Sequence, residues 1–187
     1  MTDNFIGRKQ LLDQLDELWG RRSAVLCTCR GRRRIGKSTL IERFAQVSGA
    51  RFWSFEGLAP QSKMTNQDQI DSFVRRLAEL SETKIESCQN WFDVFRQLEK
   101  VLPHEERRVL LRDEISWMGK YDANFPGELK FAFDKRFHSR RGLMVVLCGS
   151  VSSWIEHNIL SNTGFVGADC ACLCRTSCQE RSVERQF

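Results

Sequence analysis

Residues 31–39 read G-R-R-R-I-G-K-S-T, which fits the spacing G-x-x-x-x-G-K-[ST] of a phosphate-binding loop. Each position has a chemical reason. Gly31 and Gly36 let the backbone curl, so that the N–H groups of Arg32, Arg33, Arg34, Ile35 and Thr39 can turn toward phosphate oxygens. Lys37 is spaced to reach the outer phosphates, and the Ser38 hydroxyl to sit on Mg²⁺. The loop needs a strand before it and a helix after it. Ala24, Val25, Leu26 and Cys27 form a short apolar run upstream, and Leu40, Ile41, Phe44, Ala45 and Val47 recur downstream at helical spacing. The helix is expected to begin near Gly36, where its positive end adds to the anion site.

The second stretch with chemistry is residues 107–117, R-R-V-L-L-R-D-E-I-S-W, an apolar strand that ends in two acids. Such a pair is often no more than exposed charge. With a phosphate loop upstream, Asp113 becomes the acid that holds Mg²⁺ opposite Ser38. Glu114 becomes the general base that polarises an attacking water. Arg112 stands where the strand should still be apolar; pairing with an acid or an edge position would each explain it. A third apolar run, residues 143–148, ends in Gly149 and Ser150. In a parallel sheet Ser150 would face the same strand-end crevice and sense the γ-phosphate or orient the water; capping the helix expected over 152–160 is an equal alternative.

The elements that would position these residues alternate along the chain. Leu11, Leu12, Leu15, Leu18 and Trp19 imply a helix ending near Gly20. Residues 51–55 alternate as a strand, and residues 59–66 form a loop around Pro60. Helical spacing returns over 68–80 and 91–102, with a stop before Pro103. Residues 121–127 read as a loop through Pro126, and residues 128–140 as a helix. The 187 residues suffice for one domain, with no uncharged apolar run long enough to cross a membrane and no signal-peptide pattern, so a cytoplasmic protein is expected. Cys27, Cys29, Cys88 and Cys148 suit small buried hydrophobes in a reducing compartment. The net charge of +5 draws on arginines from Arg21 to Arg34, a stretch that would suit nucleic acid, a triphosphate or plain solvation.

Four stretches fall in order: F-I-G-R at 5–8, R-G-R-R-R-I-G-K-S at 30–38, L-L-R-D-E-I-S-W-M at 110–118 and L-C-G-S-V-S-S-W-I at 147–155. Together they resemble the archaeal-type ATPase family, an AAA+-related group within the STAND branch of P-loop NTPases. The resemblance implies an α/β three-layer sandwich of the ASCE type, with a mostly parallel central sheet in which one strand separates the phosphate-loop and acid-bearing strands. It also implies ATP and Mg²⁺ as ligands, Gly7 and Arg8 near the adenine, and Ser150 as a sensor residue. The lack of a guanine-reading Asn-Lys-x-Asp sequence also favours ATP. A second copy of the chain or another protein is the expected partner, with no membrane. A nucleic-acid-binding module regulated by nucleotide, or a non-catalytic remnant, is the alternative.

The resemblance covers residues 5–167 and then stops. Ser161 to Gly167 runs up to the place of a family arginine, a candidate finger for transition-state charge, but Ala168 stands there. Residues 1–167 are thus expected to form the ATPase core. Residues 168–187 read as an atypical, disordered cysteine-rich tail from a frameshift or misjoined frame, so that the truncated core lacks the last strand and the helical lid and turns over weakly. The rival reading of the tail, a metal knuckle of Cys170, Cys172, Cys174 and Cys178, lacks the two-residue spacing of zinc sites.

Overall fold

The computed structural model describes residues 9–103, 106–150, 153–161 and 170–175. Five parallel strands make one sheet in the order β2-β3-β4-β1-β5. They are β1 (Val25–Gly31), β2 (Arg51–Glu56), β3 (Arg108–Asp113), β4 (Leu143–Gly149) and β5 (Cys170–Arg175). The strand β4 pairs with β1 on one side and β3 on the other, with Cys29 opposite Cys148 and Leu111 opposite Val146. All five carboxyl ends therefore point the same way, and the loops after β1, β3 and β4 meet at one rim.

Alternation along each strand sends side chains into two separate cores. Leu26, Trp53, Phe55, Leu110, Val145 and Leu147 face one core. It is closed by the helices α3 (Asn66–Ser81), α4 (Trp91–Val101), the short α5 (Ile115–Met118) and α6 (Phe125–Ala132). Val25, Cys27, Val109, Leu111, Met144 and Val146 face the other, under α1 (Lys9–Trp19) and α2 (Lys37–Val47). Helices on both faces of a parallel sheet make the three-layer sandwich, and burial on both faces explains the continuous apolar runs within β1, β3 and β4.

Local chemistry sets the helix boundaries. A capping box opens α3: the Asp68 N–H donates to Thr65 Oγ1 at 3.3 Å, and the Thr65 N–H donates to Asp68 Oδ2 at 2.7 Å. The backbone and hydroxyl donors of Thr65 hold the Asp68 carboxyl below its usual pKa. Asn90 caps α4 by accepting from the Asp93 N–H at 2.8 Å. At the other end of α4, Arg140 donates to the carbonyls of Leu102 at 2.7 Å and Glu99 at 3.0 Å, so a buried cation meets the negative end of the helix. Inside the larger core an aromatic chain runs from β2 to α6. Phe55 stacks on Phe73 at 4.1 Å, Phe73 meets the Trp91 edge at 5.7 Å, and Trp91 meets Phe125 at 4.8 Å.

The structure corrects the sequence reading at several points. The sheet edge beside β1, expected to lack its last strand, is filled by Cys170–Arg175, paired in register from Leu26 with Cys170 to Gly31 with Arg175. An exposed β1 edge offers a full row of backbone donors and acceptors, and pairing it requires no apolar alternation in the partner. The helix α6 starts at Phe125, because Pro126 occupies the first turn, where no N–H is needed. It ends at Ala132 and passes into a π-turn, Phe133–Phe137, rather than running on to Arg140. Similarly, α7 is the short Ser153–Ile155 followed by a π-turn, Glu156–Leu160.

Arg112 does not mark an edge, and it pairs with no acid among the described residues. Its side chain is 0% exposed, with the guanidinium 4.7 Å from the Phe73 ring centre, 5.1 Å from Phe95 and 5.5 Å from Phe55. Its Nε and Nη1 have no hydrogen-bond partner among the described residues. Aromatic faces attract the cation, but burial still pushes its pKa down to about 9. Because the folded value lies below the unfolded one, this burial penalty is fully present at pH 7 and is relieved as pH rises through 9. Arg112→Met is expected to stabilise the chain at pH 7 by about 1–3 kcal/mol. Urea unfolding at pH 7 and at pH 10 checks this; the gap between the two chains should narrow at the higher pH.

Candidate functional site

The rim where β1, β3 and β4 end is built around the loop between β1 and α2. Two left-handed residues turn it, Arg34 at φ 62° and Gly36 at φ 74°. A left-handed arginine is uncommon, whereas Gly36 takes the conformation without a Cβ clash. Gly36 precedes the first turn of α2, and no side chain caps that turn. The opening N–H groups of α2 and the positive end of its dipole thus face the loop cavity, the chemistry of an anion site. Lys37 Nζ donates to the carbonyls of Gly31 and Arg32, each at 3.1 Å, which holds its ammonium inside the loop's curve.

Ser38 Oγ donates a short hydrogen bond to Asp113 Oδ2, joining the loop helix to the end of β3. The other oxygen of Asp113 accepts from the Glu114 N–H at 3.0 Å. A hydroxyl and a carboxylate converging on one point are the hard oxygen donors that Mg²⁺ takes. No cluster of three His, Cys, Asp or Glu side chains fit for a metal exists among the described residues. Mg²⁺ suits such a place because it keeps waters and substrate phosphates in most of its coordination positions.

Glu114 is the first residue past β3 and sits at φ 47°, ψ 48°. Gly57 bears on that left-handed backbone in two ways. The Gly57 N–H, just beyond β2, donates to the Asp113 carbonyl at 3.0 Å. A Cβ on Gly57 would lie 2.7 Å from the Glu114 carbonyl oxygen and 3.1 Å from both Met118 N and Trp117 Cβ. The Glu114 carboxylate is mostly buried, with Arg33 Nε 3.6 Å from its Oε1 and no hydrogen-bond partner for its Oε2 among the described residues. The Arg33 guanidinium also lies 4.8 Å from the Trp117 ring centre.

The structure brings Lys37, Ser38, Asp113 and Glu114 together with the rest of the loop, Gly31 to Thr39, and places Ser150 directly after Gly149 at the same rim. Gly7 and Arg8 fall outside the described residues, as do residues 162–169 and Cys178. The arginines from Arg21 to Arg34 do not form one patch. Arg21 and Arg22 precede β1 and Arg32 to Arg34 follow it, and seven strand residues separate the groups by roughly 20 Å. Cys29 and Cys148, register partners beneath the loop, are buried, and a thiol–thiol hydrogen bond followed by burial pushes the Cys148 pKa up, keeping it an unreactive thiol. Gly57 and Trp117 went unread in the sequence. A glycine directly after a strand is the only local sign of such an approach, and nothing in the sequence pairs it with residues 114–118.

No protein-family profile and no curated protein matches this chain. Solved structures do. A Walker-type ATPase of Pyrococcus abyssi superposes at TM-score 0.60 with 17% identity, covering 90% of this chain and 53% of that one. Cdc6p of Pyrobaculum aerophilum gives 0.62 at 15%, over 91% and 46%. The ORC2 protein of Aeropyrum pernix, solved in ADPNP and ADP complexes, gives 0.56 at 14%, over 92% and 50%. The chain shares the α/β fold of these three solved structures. It spans about half the length of these ATPase-fold proteins.

Gly57→Ala is expected to push the Glu114–Met118 turn away from β2, since the colliding atoms are mostly backbone. The cost should be about 1–3 kcal/mol in a urea melt, in the range of overpacking. An unchanged unfolding midpoint would mean that the turn yields freely.

Proposed function

We infer that this chain is the ATP-binding core of a Mg²⁺-dependent P-loop ATPase. The observation that carries the reading is the Ser38–Asp113 hydrogen bond at the mouth of a loop turned by Arg34 and Gly36. In this reading the loop amides from Gly31 to Thr39 and Lys37 bind the phosphates. Ser38 and Asp113 hold Mg²⁺, which supplies charge neutralisation for the transferred phosphoryl group. Glu114 accepts the proton of the attacking water as general base. Ser150, at the end of β4, orients that water or contacts the outer phosphate. Gly7 and Arg8 are assigned to the adenine by resemblance alone.

Hydrolysis should be slow. The place of the family arginine after Gly167 is taken by Ala168, so the charge that develops on the leaving phosphates lacks that cation. A ligand of the native state stabilises it by mass action, about 2.7 kcal/mol at a hundredfold excess over Kd. Mg-ATP should therefore raise the melting temperature of the full chain by about 5–10 °C. Lys37→Ala, which removes the ammonium held inside the loop, should abolish that rise while leaving the ligand-free melt within about 2 °C. A rise of equal size in both chains would place ATP elsewhere. Turnover by the full chain is expected below about 1 per second. A coupled phosphate-release assay measures it, and Glu114→Gln should lower whatever rate is found by at least about a hundredfold.

A further inference from the structure

Arg33 reaches from the phosphate loop to the turn after β3, and its guanidinium has two contacts there. It lies 4.8 Å from the Trp117 ring centre, and its Nε stands 3.6 Å from Glu114 Oε1. The two sides of the pair differ in exposure. The Arg33 side chain is 62% exposed, and the Glu114 side chain is 13% exposed. The Glu114 backbone is fixed at φ 47° between Gly57 and the Asp113 carboxylate. Oε1 therefore has a cation, Oε2 has no hydrogen-bond partner among the described residues, and the exposed member of the pair is the arginine. That arginine also belongs to the loop whose amides converge on an anion site, so a triphosphate there is a second, more highly charged partner within reach of a long side chain.

We propose that Arg33 is a positioning residue with two exchangeable partners, the Glu114 carboxylate and the outer phosphates of a nucleoside triphosphate. Paired with Glu114, it holds Oε1 and restrains that oxygen from accepting a water proton. Drawn to the triphosphate, it frees Oε1. The loop thereby links the presence of a triphosphate to the readiness of the base, with no movement of the sheet. The proposal rests on the ATP-binding reading given above, and it assigns to Arg33 a role that the amides of the loop do not have.

The test is a double-mutant cycle in affinity on the full chain. Calorimetry with Mg²⁺ and a non-hydrolysable ATP analogue is run on the parent, Arg33→Ala, Glu114→Gln and the double variant. If the carboxylate competes for Arg33, Glu114→Gln tightens analogue binding two- to fivefold in the parent, the range set by exposed ion pairs, and by less than about 1.5-fold beside Arg33→Ala. Arg33→Lys keeps the charge but not the planar fork, and should bind the analogue with an affinity between those of the parent and Arg33→Ala. Equal effects of Glu114→Gln in the parent and in the Arg33→Ala background would overturn the proposal while leaving ATP binding intact. No analogue binding by the parent chain would sink the ATP reading, and this proposal with it. Circular dichroism melts of all five chains confirm that the differences arise in folded protein.

Discussion

The hydrogen bond from Ser38 to Asp113 joins residues 75 positions apart, and a strand to which neither belongs makes it possible. Because β4 lies between β1 and β3, the loop after β1 and the acid ending β3 are held two strand spacings apart, about 9–10 Å. That gap is one that a serine at the start of α2 and an aspartate at the end of β3 can close from either side. Were β1 and β3 adjacent, the loop would crowd the acid; were two strands between them, no hydroxyl would reach. The register is as necessary as the order. Sliding β3 by one residue would swap its two faces, sending Arg112 toward α2 and turning Asp113 away from the loop. Every chemical feature of the rim follows from this one alignment of three parallel strands.

The same alignment explains where the chain places groups that sit badly. Arg112 precedes Asp113, so the face opposite the acid belongs to the large aromatic core, and a cation is buried against Phe73, Phe95 and Phe55. Glu114 follows Asp113 and must leave the strand abruptly, which its left-handed backbone achieves only because Gly57 leaves room. The three consecutive residues Arg112, Asp113 and Glu114 thus carry a buried cation, a doubly bonded carboxylate and a strained turn. Backbone strain gathered at one rim, beside a loop that is itself left-handed at Arg34, is what pre-organised sites show.

Much of this was legible in the sequence, for physical reasons that can be named. The loop pattern, the acid pair and the buried strands were readable because their chemistry is local: a glycine spacing, an apolar run, a carboxylate at its end. The two-sided burial of β1, β3 and β4 left continuous apolar runs, and the amphipathic α3 and α4 kept clean helical spacing. What was not legible depends on partners far along the chain. Nothing in the run C-A-C-L-C-R announces a strand; it becomes one because the β1 edge is there to pair with. Pro126 and Gly127 suggest a loop until the first turn of α6 is seen to tolerate both. The π-turns that end α6 and α7 leave no periodic mark, and the tie between Arg33 and Glu114 joins two stretches that sequence reading treats as separate motifs.

The placement of β1 also sets a timetable for the chain's birth. Residues 25–31 leave the ribosome well before their neighbours, residues 143–149 and 170–175. At about 5–20 residues per second, β1 exists for roughly 6–24 seconds before its first partner is synthesised, and for about 1–5 seconds more before its second. During that interval the apolar run V-L-C-T-C has no strand beside it, and two cysteines that end up sealed in the interior are open to oxidants and to other chains. Holding an early central strand until a late one arrives is work for a chaperone, so the yield of this protein in a cell should depend on chaperone supply and translation speed more than its finished stability would suggest.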